Sequence, residues 1–599
     1  MTAFASAPSE DRWRGRFLLW AIMAVAAALR LWRLETPSLW FDEALVAMVA
    51  KLPCGSIFTR ALTEDFHPPG FYLLAKTAML MGTSNAALRI PELVFGLAGV
   101  WFAWKAGREM LSESGGLALA ALAAVQPWHI LLSRQLRPYS IIFLFSLASL
   151  YFLWRALRDG KARDFILAGL SLWPPLLLHF SGMLAAGGAG VAVLGALLVR
   201  RVKPGNFILF CIACGLGMAL TLPFLSSMFG RESIAGSITR LEALATILKK
   251  LNELMFRSAH PGLQTGLSCL AALGFGSLFA RSRLLALVSL GWVLPPLMVL
   301  AGVRYGSYFN AWHLMFLLPP ALLWQAQAAR ALLGDRLLAW AALALAAAGA
   351  WWHLGPDSPR LYEPASYSGN YSGQAREIAG SHTPGTAYVY PESAVSGPLN
   401  WYLDQFTDPN PLRAQRLGPE DARARIVVPG TSSPARTISR QPVQAMGPPP
   451  FRARITCAPD DFLARVNSLD HVACQPVLEN ILIATQAGRT GHAEFVFENA
   501  SETPQDVTVH FGFANGKPGN RFAAMVRFDG EPWAASFESI GPDPRGHDKL
   551  TVMRERPYRR LTVRFELFRD GRSAAFTGDD LEAVRFLDFK VEAVPGKIF

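Results

Sequence analysis

Charge is scarce in this sequence. Only 17% of the 599 residues are Asp, Glu, Lys or Arg, against about 25% in a soluble globular protein. With 52% hydrophobic residues, that deficit excludes a disordered chain and a single soluble enzyme domain. Cysteine is scarce too, and six in the whole chain exclude a small disulfide scaffold. No internal repeat or low-complexity tract stands out. No Lys/Arg stripe interleaves with exposed aromatics, so the net charge of +12 is not a nucleic-acid footprint. What is left is a polytopic membrane protein with room for a soluble appendage.

The basic excess sits in one half. Residues 1–353 hold 30 Lys+Arg and 16 Asp+Glu, and residues 354–599 hold 27 and 29. Eleven apolar runs in the first half can cross ~30 Å of hydrocarbon: 17–34, 89–111, 116–133, 138–157, 164–180, 182–199, 206–228, 262–280, 284–303, 308–329 and 334–353. With the N-terminus in the cytoplasm, Lys105/Arg108, Arg155/Arg158/Lys161/Arg163, Arg200/Arg201/Lys203, Arg281/Arg283 and Arg330/Arg336 all fall inside. This is the positive-inside pattern. The apolar stretch 68–82 is too short for a span and reads as re-entrant or interfacial. An odd number of spans sends the chain after Trp352 to the outer side.

The expected architecture has three parts. Residues 1–353 form a polytopic α-helical membrane domain with a large first outer loop, 35–88. Residues 354–477 form an extracytoplasmic α/β segment, with strands near Thr386–Tyr390 and Arg425–Val428. Residues 478–599 alternate with period two over His492–Glu498, Val507–Phe513, Phe522–Phe528, Leu550–Arg554, Leu561–Phe568 and Val584–Val591. Short alternating strands with turn signals between them predict a β-sandwich. Cys457 and Cys474 lie on the outer side, where a disulfide persists, and are expected to pair.

Polar chemistry gathers in the first outer loop, which carries Asp42, Glu43, Glu64, Asp65 and His67. Asp42-Glu43 follows Leu39-Trp40-Phe41 and opens a short amphipathic helix. Asp42 there is either a helix cap or a functional carboxylate held at the membrane interface. All six histidines of the hydrophobic half, His67, His129, His179, His260, His313 and His353, fall at outer ends of spans. They are either tolerated at the interface or line a polar outer chamber. His67 with Glu64 and Asp65 could ligate a divalent cation, completed by His179 or His313. Arg30, Arg33, Arg89, Arg134, Arg137 and Arg304 reach the outer side against the charge rule. Each could snorkel to headgroups, or together they could hold a phosphate. Carboxylates to activate a nucleophile and cations to hold a phosphate suggest group transfer from a lipid phosphate.

The order of LWFDEA, DFHPPGFYLL, LRIPELVFGLAGVWFAWKAGREML, SRQLRPYSIIFLFSLASLYFL and LLLHFSG resembles the glycosyltransferase C superfamily. Within it, the protein O-mannosyltransferase and lipid A aminoarabinose transferase branch is the most similar. The likeness is good over about residues 15–200, looser over 200–350, and does not reach the β-sandwich. It implies an inverting membrane glycosyltransferase that moves a sugar from a polyprenyl-phosphate donor to an acceptor outside the cytoplasm, in the inner (plasma) membrane. Asp42 would be the base or acceptor-positioning group, with Glu43 in support. His67-Pro68-Pro69 would open a helix at the site, with His67 a ligand candidate. Arg137, in Arg137-Pro138-Tyr139, would face the donor phosphate, joined by Arg304, His313 and Arg89. Two departures stand out: Gln135 replaces an acidic residue, and Trp312-His313 stand where many relatives have an Arg-Tyr pair. A transporter or flippase of lipid-linked sugars is the alternative. It predicts polar groups halfway through the spans, and few charges lie there.

Overall fold

In this computed structural model the described residues are 9–63, 67–229, 240–257, 261–302, 310–354, 370–389, 393–427, 435–477, 479–486, 488–516, 518–543, 546–570 and 585–595. The chain folds as two compact units. One is Met1–Pro37 with Ala50–Ser366, the other Ser38–Val49 with Tyr367–Phe599.

The first unit is helical. In order come α1 (Ser9–Leu31), α2 (Phe41–Lys51, most of it in the second unit), α3 (Cys54–Thr63), α4 (Gly70–Ala78), α5 (Asn85–Met110), α6 (Glu113–Val125), α7 (Pro127–Leu132) and α8 (Tyr139–Asp159). Then follow α9 (Ala162–Leu170), α10 (Trp173–Leu178), α11 (Ser181–Leu198), α12 (Pro204–Phe229), α13 (Arg240–Met255), α14 (Pro261–Arg281), α15 (Arg283–Gly302) and α16 (Leu318–Leu354). Among the described residues, seven helices are long and apolar enough to cross a membrane. The protein is a multi-pass membrane protein on that ground. The last of the seven, Ala311–Leu354, spans two of the expected runs and is broken at Gly334, where φ is 69°. The expected run 116–133 is divided at Gln126-Pro127 into α6 and α7. Helix α4 has 9 residues, a rise of about 14 Å, so it is too short to span, as the sequence predicts.

Small residues set the helix approaches. A Cβ on Gly274 of α14 would lie 1.7 Å from the Trp324 carbonyl oxygen of α16, so only glycine permits that contact. At the expected cytoplasmic ends the charges pair among themselves. Arg158 meets Glu109 at 2.9 Å and Arg155 meets Asp164 at 3.6 Å. Asp335 takes Arg330 at 2.8 Å and the Ser112 hydroxyl at 2.6 Å.

The second unit carries α17 (Tyr371–Ser381), α18 (Ser393–Phe406), α19 (Pro459–Arg465) and three sheets. The smallest holds β1 (Thr386–Tyr388), β3 (Arg423–Val427) and β4 (Ala435–Ser439). The other strands are β2 (Arg416–Leu417), β5 (Val443–Met446), β6 (Phe451–Thr456), β7 (Ser468–Asp470), β8 (Val472–Val477), β9 (Glu479–Ala484), β10 (Thr490–Asn499), β11 (Gln505–Ala514), β12 (Arg521–Phe528), β13 (Ala535–Ile540), β14 (His547–Val552), β15 (Arg560–Phe568) and β16 (Arg585–Pro595). One sheet runs β13-β12-β15-β10-β7-β2 with β5 also on β10; the other runs β14-β11-β16-β9-β8 with β6 also on β16.

Inward rings from both sheets fill a common core. Phe565 lies 4.2 Å from Phe586, Phe495 4.7 Å from Phe589, and Phe513 4.9 Å from Phe522, ring centre to ring centre. This is the predicted β-sandwich, and the alternating segments are its strands. Its boundary differs from the expected one. Strands β2 and β5–β8, from within 416–477, pair in the same two sheets as those from 479–595. The edge of β10 away from β15 is shared by β7 and β5, and the edge of β16 away from β11 by β9 and β6. A division at 477/478 therefore cuts both sheets. Period-two patterning reads a strand's faces but not its partner.

The expected Cys457–Cys474 disulfide is not formed: both are free, buried thiols. The Cys457 thiol donates to the Phe586 carbonyl at 3.5 Å, and both side chains pack in the sandwich core. Here cysteine serves as a small apolar group, and burial pushes both thiols up from their ordinary range.

One histidine of the sandwich gives a pH dependence. Burial first, and the Arg564 guanidinium next, hold His492 down at about 4. The nearby Asp470 opposes this, while His471 and Arg416 reinforce it. An unfolded histidine titrates near ~6.5, so between these values the unfolded chain binds the proton and the folded chain does not. Stability is then lost as pH falls from ~6.5 toward 4 and is unaffected above ~7. Thermal melts of His492→Asn and the unaltered protein should diverge in that window, with the variant losing less on acidification. Parallel melting curves from pH 7 to 4.5 would contradict this assignment.

Candidate active site

The acid pair opens α2 in the second unit. Phe41 is the first helical residue, so Asp42 and Glu43 occupy its first turn, where the helix dipole favours carboxylates. Glu43 is 1% exposed, and its Oε2 accepts the Trp40 N–H at 3.3 Å. That is half of a capping box, so the cap belongs to Glu43. Asp42, the residue before it, is half-buried. Just before it, the Leu39 N–H donates to the Tyr402 hydroxyl at 2.7 Å, and the Ser372 N–H donates to Ser38 Oγ at 3.1 Å.

In the first unit, residues from four chain breaks gather. His67 precedes Pro68-Pro69 and α4. A Cβ on Gly70 would lie 2.5 Å from the Leu177 carbonyl oxygen, so glycine lets α4 approach the end of α10, where His179 follows. Arg137 and Tyr139 flank Pro138, the N-cap of α8. His313 lies in the 3₁₀ turn Ala311–Leu317. The His179 ring centre is 5.3 Å from His67, 5.3 Å from Tyr139 and 5.8 Å from His313. The Arg137 guanidinium lies 5.7 Å from the Tyr139 ring centre.

Hydrogen bonds fix the face these imidazoles present. The Ser181 N–H donates to His179 Nδ1 at 3.1 Å, and the Asn310 N–H donates to His313 Nδ1 at 3.1 Å. An Nδ1 that accepts leaves the ring proton on Nε2. His179 and His313 therefore offer N–H donors; the His179 one lies 3.4 Å from the Tyr139 hydroxyl. Beside Arg137 this is a donor set for an anion.

The same tautomers do not suit a metal. A ligating Nε2 must be unprotonated, with Nδ1 as the donor. Among the described residues no group of three His, Cys, Asp or Glu could hold a cation. Glu64 and Asp65, expected as ligands with His67, lie outside the described residues, as does Arg304.

Other cations expected on the outer side bond the backbone. Arg89, expected at the donor phosphate, is 2% exposed and donates through Nη1 to the carbonyls of Leu34 and Pro37, both at 2.9 Å. Arg30 donates to Ala26 and Ala124 at 3.0 Å and lies 2.7 Å from His129 Nδ1. Arg134 donates to Leu29 at 3.0 Å. His353 Nε2 lies 3.0 Å from the Val125 carbonyl. Of the six histidines, three thus gather and two serve as ties; His260 lies outside the described residues. Sequence reasoning gave Tyr139 no role and missed Lys250, which is within electrostatic reach of His313. Its one signal was a Lys-Lys pair on an amphipathic helix in a loop expected on the outer side.

The model of the dolichyl-phosphate-mannose-protein mannosyltransferase family matches residues 66–226. Among solved structures, ArnT from Cupriavidus metallidurans in the apo state is similar at 12% identity and a TM-score of 0.48, over 71% of this chain and 94% of that one. The same protein bound to undecaprenyl phosphate is similar at 14% identity and a TM-score of 0.45, over 68% and 92%. No curated protein matches the sequence. The matched segment holds His67, Arg137, Tyr139 and His179, so four of the residues gathered in the first unit lie where the chain is similar to that family.

Proposed function

We propose that this protein is an inverting glycosyltransferase that moves a sugar from a polyprenyl-phosphate donor to an acceptor on the extracytoplasmic side of the inner membrane. The observation that carries the reading is the gathering of Arg137 with the Nε2–H donors of His179 and His313, three of these four outer-face groups (with His67) lying in the family-matched segment. Asp42 takes the proton of the acceptor hydroxyl or amine as that atom bonds to the anomeric carbon. The bond from this carbon to the phosphate oxygen breaks through an oxocarbenium-like transition state. The polyprenyl phosphate leaves with the electron pair, and Arg137 and His313 stabilise its charge. Glu43 serves by capping the helix that carries Asp42. No step is routed through a metal.

Two variants test the roles in vesicles supplied with labelled polyprenyl-phosphate sugars. Asp42→Asn should cut the transfer rate by about 10²–10⁴-fold, the usual worth of a positioned base, with donor KM little changed. Full transfer by that variant removes Asp42 from the reaction, and sugar uptake without transfer by the unaltered protein favours a flippase.

The arginines separate phosphate binding from backbone support. Arg137→Met should raise donor KM or lower kcat by roughly 10²-fold at an unchanged melting temperature. Arg89→Met should instead lower the melting temperature, because buried carbonyls lose a charged donor worth about 1.5–3 kcal/mol, and should leave donor KM unchanged. The opposite pattern would return Arg89 to the donor site.

A further inference from the structure

Three consecutive residues ahead of Asp42 are each fixed by a hydrogen bond, and two of the three partners come from beyond the membrane domain. Ser38 Oγ accepts the Ser372 N–H at 3.1 Å. Ser372 is the second residue of α17, so Ser38 satisfies one of the amides that a helix start leaves open. The Leu39 N–H donates to the Tyr402 hydroxyl at 2.7 Å. The Trp40 N–H is taken by Glu43. Tyr402 is 5% exposed and Leu39 is fully buried, so water has little access to replace the phenol. The Tyr402 ring is itself held, stacked 6.1 Å from Phe406 at 25°, and α17 and α18 pack on each other. Ser38–Val49 accordingly belongs to the same compact unit as Tyr367–Phe599.

We infer that the extracytoplasmic unit is a working part of the transferase, with Tyr402 and Ser372 as positioning residues for Asp42. This rests on the reading of Asp42 as the acceptor's base. The phenol oxygen sets the backbone at Leu39, three residues before the carboxylate, and Ser372 sets it one residue earlier. Losing the phenol strands a buried N–H, which regains a partner only if the segment shifts. A shift of about 1 Å in a base costs up to 10²-fold in rate, while donor-phosphate binding, which uses other groups, is untouched.

The test uses the full-length protein in lipid vesicles and two readouts. Tyr402→Phe keeps the ring and removes only the oxygen. Hydrogen exchange of the peptide containing residues 38–44 should speed up at least about tenfold, since an amide loses its acceptor, while exchange in the sandwich strands stays as before. In the same preparation kcat should fall by roughly ten- to a hundredfold, with donor KM within twofold. Ser38→Ala should act in the same direction more weakly, and it carries the test if Tyr402→Phe does not fold. Unaltered exchange and unaltered kcat in both variants overturn the inference, as does a change in donor KM alone. The exchange readout is independent of chemistry. If Asp42→Asn transfers normally while exchange still rises, the base assignment fails and the tether stands; if Asp42→Asn is dead and neither variant differs from the unaltered protein, the tether fails and the base assignment stands.

Discussion

Apolar surroundings offer no water to a carbonyl at a helix end, so each must find a donor within the protein. This constraint accounts for three of the six arginines expected at the outer ends of the helices. Arg30 reaches carbonyls at the ends of α1 and α6, and Arg134 reaches Leu29 on α1. Arg89 reaches the chain just beyond, at Leu34 and Pro37. Guanidinium groups suit the task because one fork serves several oxygens and never loses its charge. Arg137 has a different setting, beside the Tyr139 ring, which packs against the imidazoles of His179 and His313.

The same need for partners shapes the acid pair. Glu43 takes the Trp40 N–H at the helix start. Two adjacent carboxylates that look alike in sequence therefore differ in setting, Glu43 buried and Asp42 half-buried.

Much of this was legible in the sequence. The apolar runs correspond to helices, and the six alternating segments of the tail are strands of a sandwich, because periodicity is a local property of the chain. His67, Arg137 and His313 were singled out, and the structure gathers them around His179 and Tyr139. What failed depends on contacts distant in sequence. Arg89 looked like a phosphate ligand because nothing local shows that Leu34 and Pro37 need a donor. Cys457 and Cys474 looked like a bridge because an outer location permits one, yet both pack as core side chains. The boundary at 477/478 was drawn where alternation becomes strong, whereas the short strands before it are the missing edges of both sheets.

The order of the strands also bears on biogenesis. β16 is late in the chain but interior to its sheet, meeting β11 on one edge and β6 and β9 on the other. Until that segment has been synthesised, three earlier strands expose backbone edges and the phenylalanine layer lacks Phe586 and Phe589. The domain must therefore wait, unsealed, for almost its whole length to be synthesised, and its closure is a late, long-range event.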